Sequence, residues 1–256
     1  MRMSAMHELG ATLAEAWIAS KPIPSVPERL TPERADEAYQ AQAVLVDRLM
    51  PHFGPIVGWK VGAAGPNAEP NAAPLLADLV QPAPARFGAV QFRLRGLEAE
   101  LAFRFGRALP PRSAPYDEAD VAAAIQSMHV GIEVVECRTD DREATSPLVR
   151  LADNQNNGAF CFGPVCAKDW RSVDYARQAV VLSLDGIPAA RAEGGNAAGH
   201  PMRLLVWLAN HAAKLSRGIA AGDIITTGSH IRPVFNHHAE RVEAKFAGLG
   251  SASLNF

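Results

Sequence analysis

Between Gly96 and Phe105 the chain alternates in a way that only an extended conformation can sort. Leu97, Ala99, Leu101, Phe103 and Phe105 fall on one side, and Glu98, Glu100, Ala102 and Arg104 on the other. A helix would scatter these residues round its circumference, so the stretch commits the chain to a β-sheet with one face on a core. The two carboxylates then point the same way. Like charges so placed repel, and a strand keeps them where they face water, face basic partners or share a cation. Oxygen ligands at this spacing suit Mg²⁺ or Mn²⁺. Taken alone, a solvated strand face is the commoner outcome.

Around this strand the sequence is that of an ordinary globular protein. Its 256 residues carry a net charge of −2 with no basic block, which excludes nucleic acid and anionic membrane surfaces as natural partners. No segment is long and apolar enough to span a bilayer. The start, Met1 to Leu9, lacks a cationic run followed by an apolar core, so the expected location is the cytoplasm and the default partner a small molecule. Three cysteines, Cys137, Cys161 and Cys166, argue against a disulfide framework and have no zinc-site spacing; they read as buried thiols.

The periodicity predicts an amphipathic helix over about His7 to Ala19, a proline-rich connector, and a second helix to about Met50 with Thr31 as N-cap and Pro32 at its first position. Tyr39 and Gln42 share a face of that helix. Ile56 to Gly62 reads as a strand with Val57, Trp59 and Val61 on the core side and Lys60 between Gly58 and Gly62 on the other, where absent side chains leave room for a ligand. Ala63 to Phe87 reads as a long irregular crossing. Asp117 is placed to cap a helix carrying Val121, Ala124, Ile125 and Met128 and ending near His129, and Gly131 to Glu136 as a strand. Asp153-Asn154-Gln155-Asn156-Asn157-Gly158 is a dense polar run, either a turn or a pocket wall. The second half shows a hairpin about Asp185-Gly186 and a helix striped by Leu204, Leu205, Leu208, His211 and Leu215. A strand then ends at Thr227-Gly228-Ser229, and two more strands close the chain.

In this order, Tyr39-x-x-Gln42, Gly58-Trp59-Lys60-Val61-Gly62, Glu98-Ala99-Glu100, Ile132-Glu133-Val134-Val135, Ala152-Asp153-Asn154, Gly199-His200-Pro201 and Ala221 to Ser229 resemble the fumarylacetoacetate hydrolase superfamily, in its hydratase/decarboxylase branch. The glutamate at 133 is that branch's choice, where the C–C hydrolases usually carry aspartate. The resemblance implies an α+β fold: a mixed β-roll or distorted barrel with flanking helices. An N-terminal helical segment (1–55) would precede a metal-binding catalytic domain (56–256). It implies that Glu98, Glu100 and Glu133 hold Mg²⁺ or Mn²⁺, that Lys60 and Asp153 are catalytic, and that Tyr39, Gln42, Asn154, Asn156, Thr227 and Ser229 contact substrate. Three carboxylates leave open positions that a 2-oxo acid can fill as a chelate.

The implied activity is hydration of a 2-hydroxy-2,4-dienoate or 2-oxo-enoate to a 4-hydroxy-2-oxo acid in aromatic-compound catabolism. A homo-oligomer is implied, and a decarboxylase or aldolase of the same pathway as an associated protein. Decarboxylation of a 2-oxo-enedioate, C–C hydrolysis of an acylpyruvate, and non-catalytic binding of a 2-oxo acid are the alternatives. The chain departs from the branch in its Ala- and Pro-rich stretch after Lys60, in Gln155-Asn156 where Ala-Ser is usual, and in His230 where an apolar residue is usual. These departures point to a shifted substrate.

Overall fold

In the computed structural model, residues 2–88, 91–215 and 217–256 are described. The Gly96–Phe105 alternation forms a ten-residue strand, β5. Leu97, Ala99, Leu101, Phe103 and Phe105 are all fully buried on one side. Burying each large apolar side chain contributes roughly 1.5–3 kcal/mol, which pins the register, because a one-residue slip would exchange the faces.

The chain begins with two parallel helices, α1 (Arg2–Ile18) and α2 (Ala35–Phe53), packed on each other from Arg2 beside Glu37 to Trp17 beside Phe53. Strands β1 (Ile56–Gly62), β2 (Asn71–Leu76), β3 (Val80–Pro82) and β4 (Ala85–Arg86) follow. After β5 come α3 (Glu118–Ala124), β6 (Ile125–Val135), α4 (Pro147–Ala152) and β7 (Asn157–Val165). The last part holds β8 (Ala179–Leu184), β9 (Ile187–Glu193), α5 (Pro201–Ala212), β10 (Ile224–Ser229), β11 (Val234–Phe235), β12 (Arg241–Phe246) and β13 (Gly250–Asn255). One sheet runs β2-β1-β10-β5-β6-β7-β3, with β11 also on β5, and curls into a half-barrel; a second runs β4-β13-β12-β8-β9. This is the mixed α+β roll expected, with helices at its flank.

Several local expectations are corrected. Thr31 does not cap α2: it closes a 3₁₀ turn at Glu28–Leu30, and α2 begins at Ala35 without a side-chain cap. Glu37 takes over the start of this helix, accepting from the Glu33 amide at 2.9 Å and from the Arg2 guanidinium. Asp117 does cap α3 through a capping box, but the helix stops at Ala124. Ile125 and Met128 belong to β6, which pairs with β5 from Gly96 opposite Val135 to Phe105 opposite Ile125. Long-range pairing of a buried strand outweighs a short run of helical periodicity. The Ala63 to Phe87 crossing contains β2, whose Ala72, Ala73, Leu75 and Leu76 are buried against the core. The last helix ends at Ala212, leaving Leu215 on the surface. His230 is 2 % exposed, edge-on to Phe246 at 5.1 Å, with Nδ1 unpartnered. Burial lowers its pKa to about 4, so it occupies the apolar position as a neutral ring.

Candidate metal centre

Antiparallel pairing of β5 with β6 sets Glu98 directly opposite Glu133, and Glu100 opposite Gly131. One carboxylate oxygen from each of the three acids lies within 4.8 Å of the others. Glu133 and Glu100 are buried and Glu98 is half-buried. Glu133 and Glu100 are held by neighbours on other strands. Glu133 Oε1 accepts from Lys60 Nζ at 2.5 Å and from Asn157 Nδ2 at 3.0 Å. Glu100 Oε2 accepts from the Thr226 hydroxyl and from the Gly228 amide at 3.2 Å. The left-handed conformation at Gly228 (φ 88°), which glycine adopts without strain, is what turns that amide toward the acid.

Electrostatically the cluster is unfinished. Burial, and then the charge of Glu133, push the Glu98 carboxyl up to about 7, and the same causes put Glu100 well above the usual range. Burial alone would lower the Lys60 pKa, but the charges of Glu133, Glu98 and Glu100 outweigh it and hold the amine above its ordinary value. Glu133 Oε2 is buried with no hydrogen-bond partner. An unpartnered carboxylate oxygen in a low-dielectric site is costly, and two further acids beside it make protein donors a poor remedy. A hard divalent cation satisfies all three oxygens, and the all-oxygen donor set suits Mg²⁺, Mn²⁺ or Ca²⁺. These residues therefore fit a divalent metal.

Lys60 reaches the cluster from β1, which runs parallel to β10. Gly62 does leave open space beside it, as expected, whereas Gly58 has a different role. A Cβ there would stand 2.0 Å from the Ile224 carbonyl oxygen, so this glycine permits the close approach of β1 and β10. The Lys60 ammonium also donates to the Gln155 carbonyl at 3.1 Å. That carbonyl is presented by three consecutive left-handed residues, Asn154, Gln155 and Asn156, with φ of 51°, 53° and 56°. Asn tolerates this region and Gln less so. Local strain of this kind gathers at functional sites, and here it aims a backbone acceptor at the lysine.

The cluster lies in the wall of a cavity of about 410 Å³. Of the residues singled out from the sequence, Lys60, Glu98, Glu100, Glu133, Asn156 and Ser229 line it. The others stand behind it. Asp153 is wholly buried in an ion pair with Arg138, Nε to Oδ1 at 2.5 Å, while its Oδ2 accepts from the Arg138 amide at 3.0 Å and from Asn156 Nδ2 at 2.9 Å. With both oxygens engaged away from the cavity it positions Asn156 and is not placed to move a substrate proton. Asn154 donates to the Pro74 carbonyl at 3.0 Å. Tyr39 accepts from the Ala72 amide at 3.1 Å, and Gln42 donates to the carbonyls of Ala72 and Leu151 at 3.2 and 2.8 Å. Thr227 donates to the Leu101 carbonyl at 2.9 Å. These four tie the surrounding strands together. Asn71, Arg142 and Arg150 line the cavity without having been singled out, and Gln155, noted only within the polar run, joins them. A polar run can mark Gln155, but nothing local distinguishes Arg142 and Arg150 from surface arginines.

Comparison with known proteins agrees with this geometry. The family model described as fumarylacetoacetate (FAA) hydrolase C-terminal matches residues 80–255. The chain is 28% identical to a 2-keto-4-pentenoate hydratase of Paraburkholderia phymatum, over 98% of this chain and 97% of that one. It is 30% identical to a 2-hydroxyhexa-2,4-dienoate hydratase of Comamonas testosteroni over 66% of this chain and 64% of that one. Among solved structures, 4-oxalocrotonate decarboxylase from Pseudomonas putida G7, complexed with calcium and acetate, aligns with a TM-score of 0.81 at 25% identity, covering 99% of this chain and 97% of that one. Among the described residues no helix is long and apolar enough to cross a membrane.

Proposed function

The chain belongs to the fumarylacetoacetate hydrolase family, and from that premise we propose that it is a divalent-metal-dependent hydratase. It adds water to a 2-hydroxy-2,4-dienoate, through its 2-oxo-enoate tautomer, to give a 4-hydroxy-2-oxo acid. We place it in the cytoplasm, as a homo-oligomer in aromatic-compound catabolism. The observation that carries the reading is the convergence of three carboxylates and one lysine on a single cavity, in a chain similar over nearly its whole length to a named hydratase.

Glu98, Glu100 and Glu133 would hold Mg²⁺ or Mn²⁺, which would supply Lewis acidity to the 2-oxo-acid end of the substrate. The protein's own groups supply the rest. Lys60, held by Glu133 Oε1 and the Gln155 carbonyl, carries the proton between the substrate 2-hydroxyl and its carbon chain, converting dienol to enone. Water then adds across the conjugated double bond, its oxygen to C4 and a proton to C3. Asn156 and Ser229 bring polar side chains to the same wall and orient the acid or the water. Asp153 fixes Asn156 from behind.

The test is the ultraviolet absorbance of 2-hydroxypenta-2,4-dienoate with Mg²⁺, against a chelator control and Glu100→Ala. Metal-dependent loss of the chromophore with formation of 4-hydroxy-2-oxopentanoate is expected. Lys60→Ala should lower kcat by about 10²–10⁴, the usual worth of a positioned acid–base group, and Lys60→Arg should not restore it. Absence of metal-dependent turnover of this dienoate and of longer ones would overturn the hydratase reading. Release of CO₂ from a 2-oxo-enedioate would replace it with decarboxylation.

A further inference from the structure

The cavity holds two arginines that the mechanism above does not use. Arg150 lies on α4 and Arg142 in the loop before it, on a different part of the chain from the strands that carry the acids. Both are half-buried in the cavity wall. The Arg150 guanidinium makes no hydrogen bond or ion pair with any described residue, although a half-buried guanidinium offers five donors. Arg142 pairs at 2.6 Å with Glu143, a residue 81 % exposed, and its own Nε is buried without a partner. Unmet guanidinium donors facing one cavity call for an anion.

Charge balance says how large an anion. With the three acids ionised, as holding a cation requires, Glu98, Glu100 and Glu133 are matched in formal charge by Lys60, Arg142 and Arg150. A divalent cation at the three acids leaves two positive charges unmatched. A monocarboxylate neutralises one of them and a dicarboxylate both. Space allows this: about 410 Å³ falls within the range of pockets that take ligands well beyond five carbons, roughly 300–1,000 Å³.

We propose that Arg142 and Arg150 form the subsite for a second, distal carboxylate, and that the natural substrate is a dicarboxylic 2-hydroxy-dienoate whose 2-oxo-acid end lies at Glu98, Glu100 and Glu133. This rests on the hydratase reading and names its substrate class. The pairing also bears on the outcome at that end. Loss of CO₂ requires a carboxylate to surrender its negative charge to the carbon chain, and a guanidinium pair stabilises the charge where it is. The distal carboxylate is retained, and the reaction is addition of water alone, with no group leaving.

Two ligands that differ only at the far end test this: 2-oxoadipate and 2-oxohexanoate, titrated calorimetrically into the Mg²⁺-loaded protein. The expected result is binding of 2-oxoadipate at least about tenfold tighter, with Arg150→Gln and Arg142→Gln each collapsing the ratio toward one by weakening the diacid. Equal affinities for the two acids in the unsubstituted protein would overturn the subsite and leave the hydratase reading standing. Equal weakening of both acids by the arginine variants would also overturn it, as a general electrostatic or folding effect. Failure of both acids to bind in a Mg²⁺-dependent manner would sink both readings together.

Discussion

Lys60 and Arg138 each meet a buried carboxylate at 2.5 Å, yet the two pairs are completed differently. Around Arg138 all three guanidinium nitrogens are engaged. Its side chain bonds Asp153 and the carbonyls of Glu136, Asp153 and Asn157, its guanidinium lies 3.9 Å from the centre of the Trp17 ring, and Asn156 takes the remaining side of Asp153. Around Lys60 the bonding stops short: Glu133 Oε2 has no partner, and Glu98 and Glu100 stand beside it with their pKa values raised. A sealed pair fixes the fold between α1 and the polar run that follows α4. An open one is a place for a ligand. Burial and charge alone do not separate the two; completeness of the hydrogen bonding does.

Substitutions should break the two pairs in opposite ways. The largest effect is expected at Glu133→Gln, which keeps the shape and removes one of the three carboxylate charges of the cluster. Activity should fall by about four orders of magnitude, the several kcal/mol that a Lewis-acid metal supplies, with Mg²⁺ affinity lost in calorimetry. The urea midpoint of the metal-free protein should not fall, because repulsion among the acids is relieved. At the sealed pair the balance reverses. Asp153→Ala strands Arg138 in the interior and should cost about 3–5 kcal/mol in urea unfolding. A loss of stability at Glu133 and none at Asp153 would overturn the distinction.

The smallest effect sharpens the contrast through pH. Glu98 in the folded, metal-free protein titrates near 7, above its unstructured value of 4.5. The folded state therefore holds a proton that the unfolded state has already lost. The stability linked to that proton is full below pH 4.5 and is lost as pH rises toward 7. Unfolding midpoints in chelator should fall between pH 5 and 7, and saturating Mg²⁺ should flatten or reverse the slope. An unchanged slope with Mg²⁺ present would mean that the cation does not sit at these acids.

Much of the site is legible locally. The β5 alternation places Glu98 and Glu100 on one face whatever the fold, and the order of short motifs points to Glu133 and Lys60. The polar run at 153–157 is visible too, but its division of labour is not: Asp153 and Asn154 turn inward while Gln155 and Asn156 reach the cavity, because three left-handed residues twist the chain between them. Tyr39, Gln42 and Thr227 carry polar groups that serve backbone amides and carbonyls rather than the cavity. No spacing rule separates those duties.

What the amino-acid order determined by itself is what period-2 and period-3.6 sorting can encode: β1, β5, the β8–β9 hairpin, the cores of α1, α2, α3 and α5, and the shared facing of Glu98 and Glu100. What only the tertiary structure decided is everything that depends on partners distant in sequence. The antiparallel register that sets Glu98 against Glu133 is one case, and the β6 pairing that stops α3 at Ala124 is another. The donors that complete one ion pair and leave the other open, and the folding-back of Arg142 and Arg150 onto the cavity, belong with them. Local sequence sets which way a side chain faces, but the energy of burying a charge depends on what the rest of the chain brings to it.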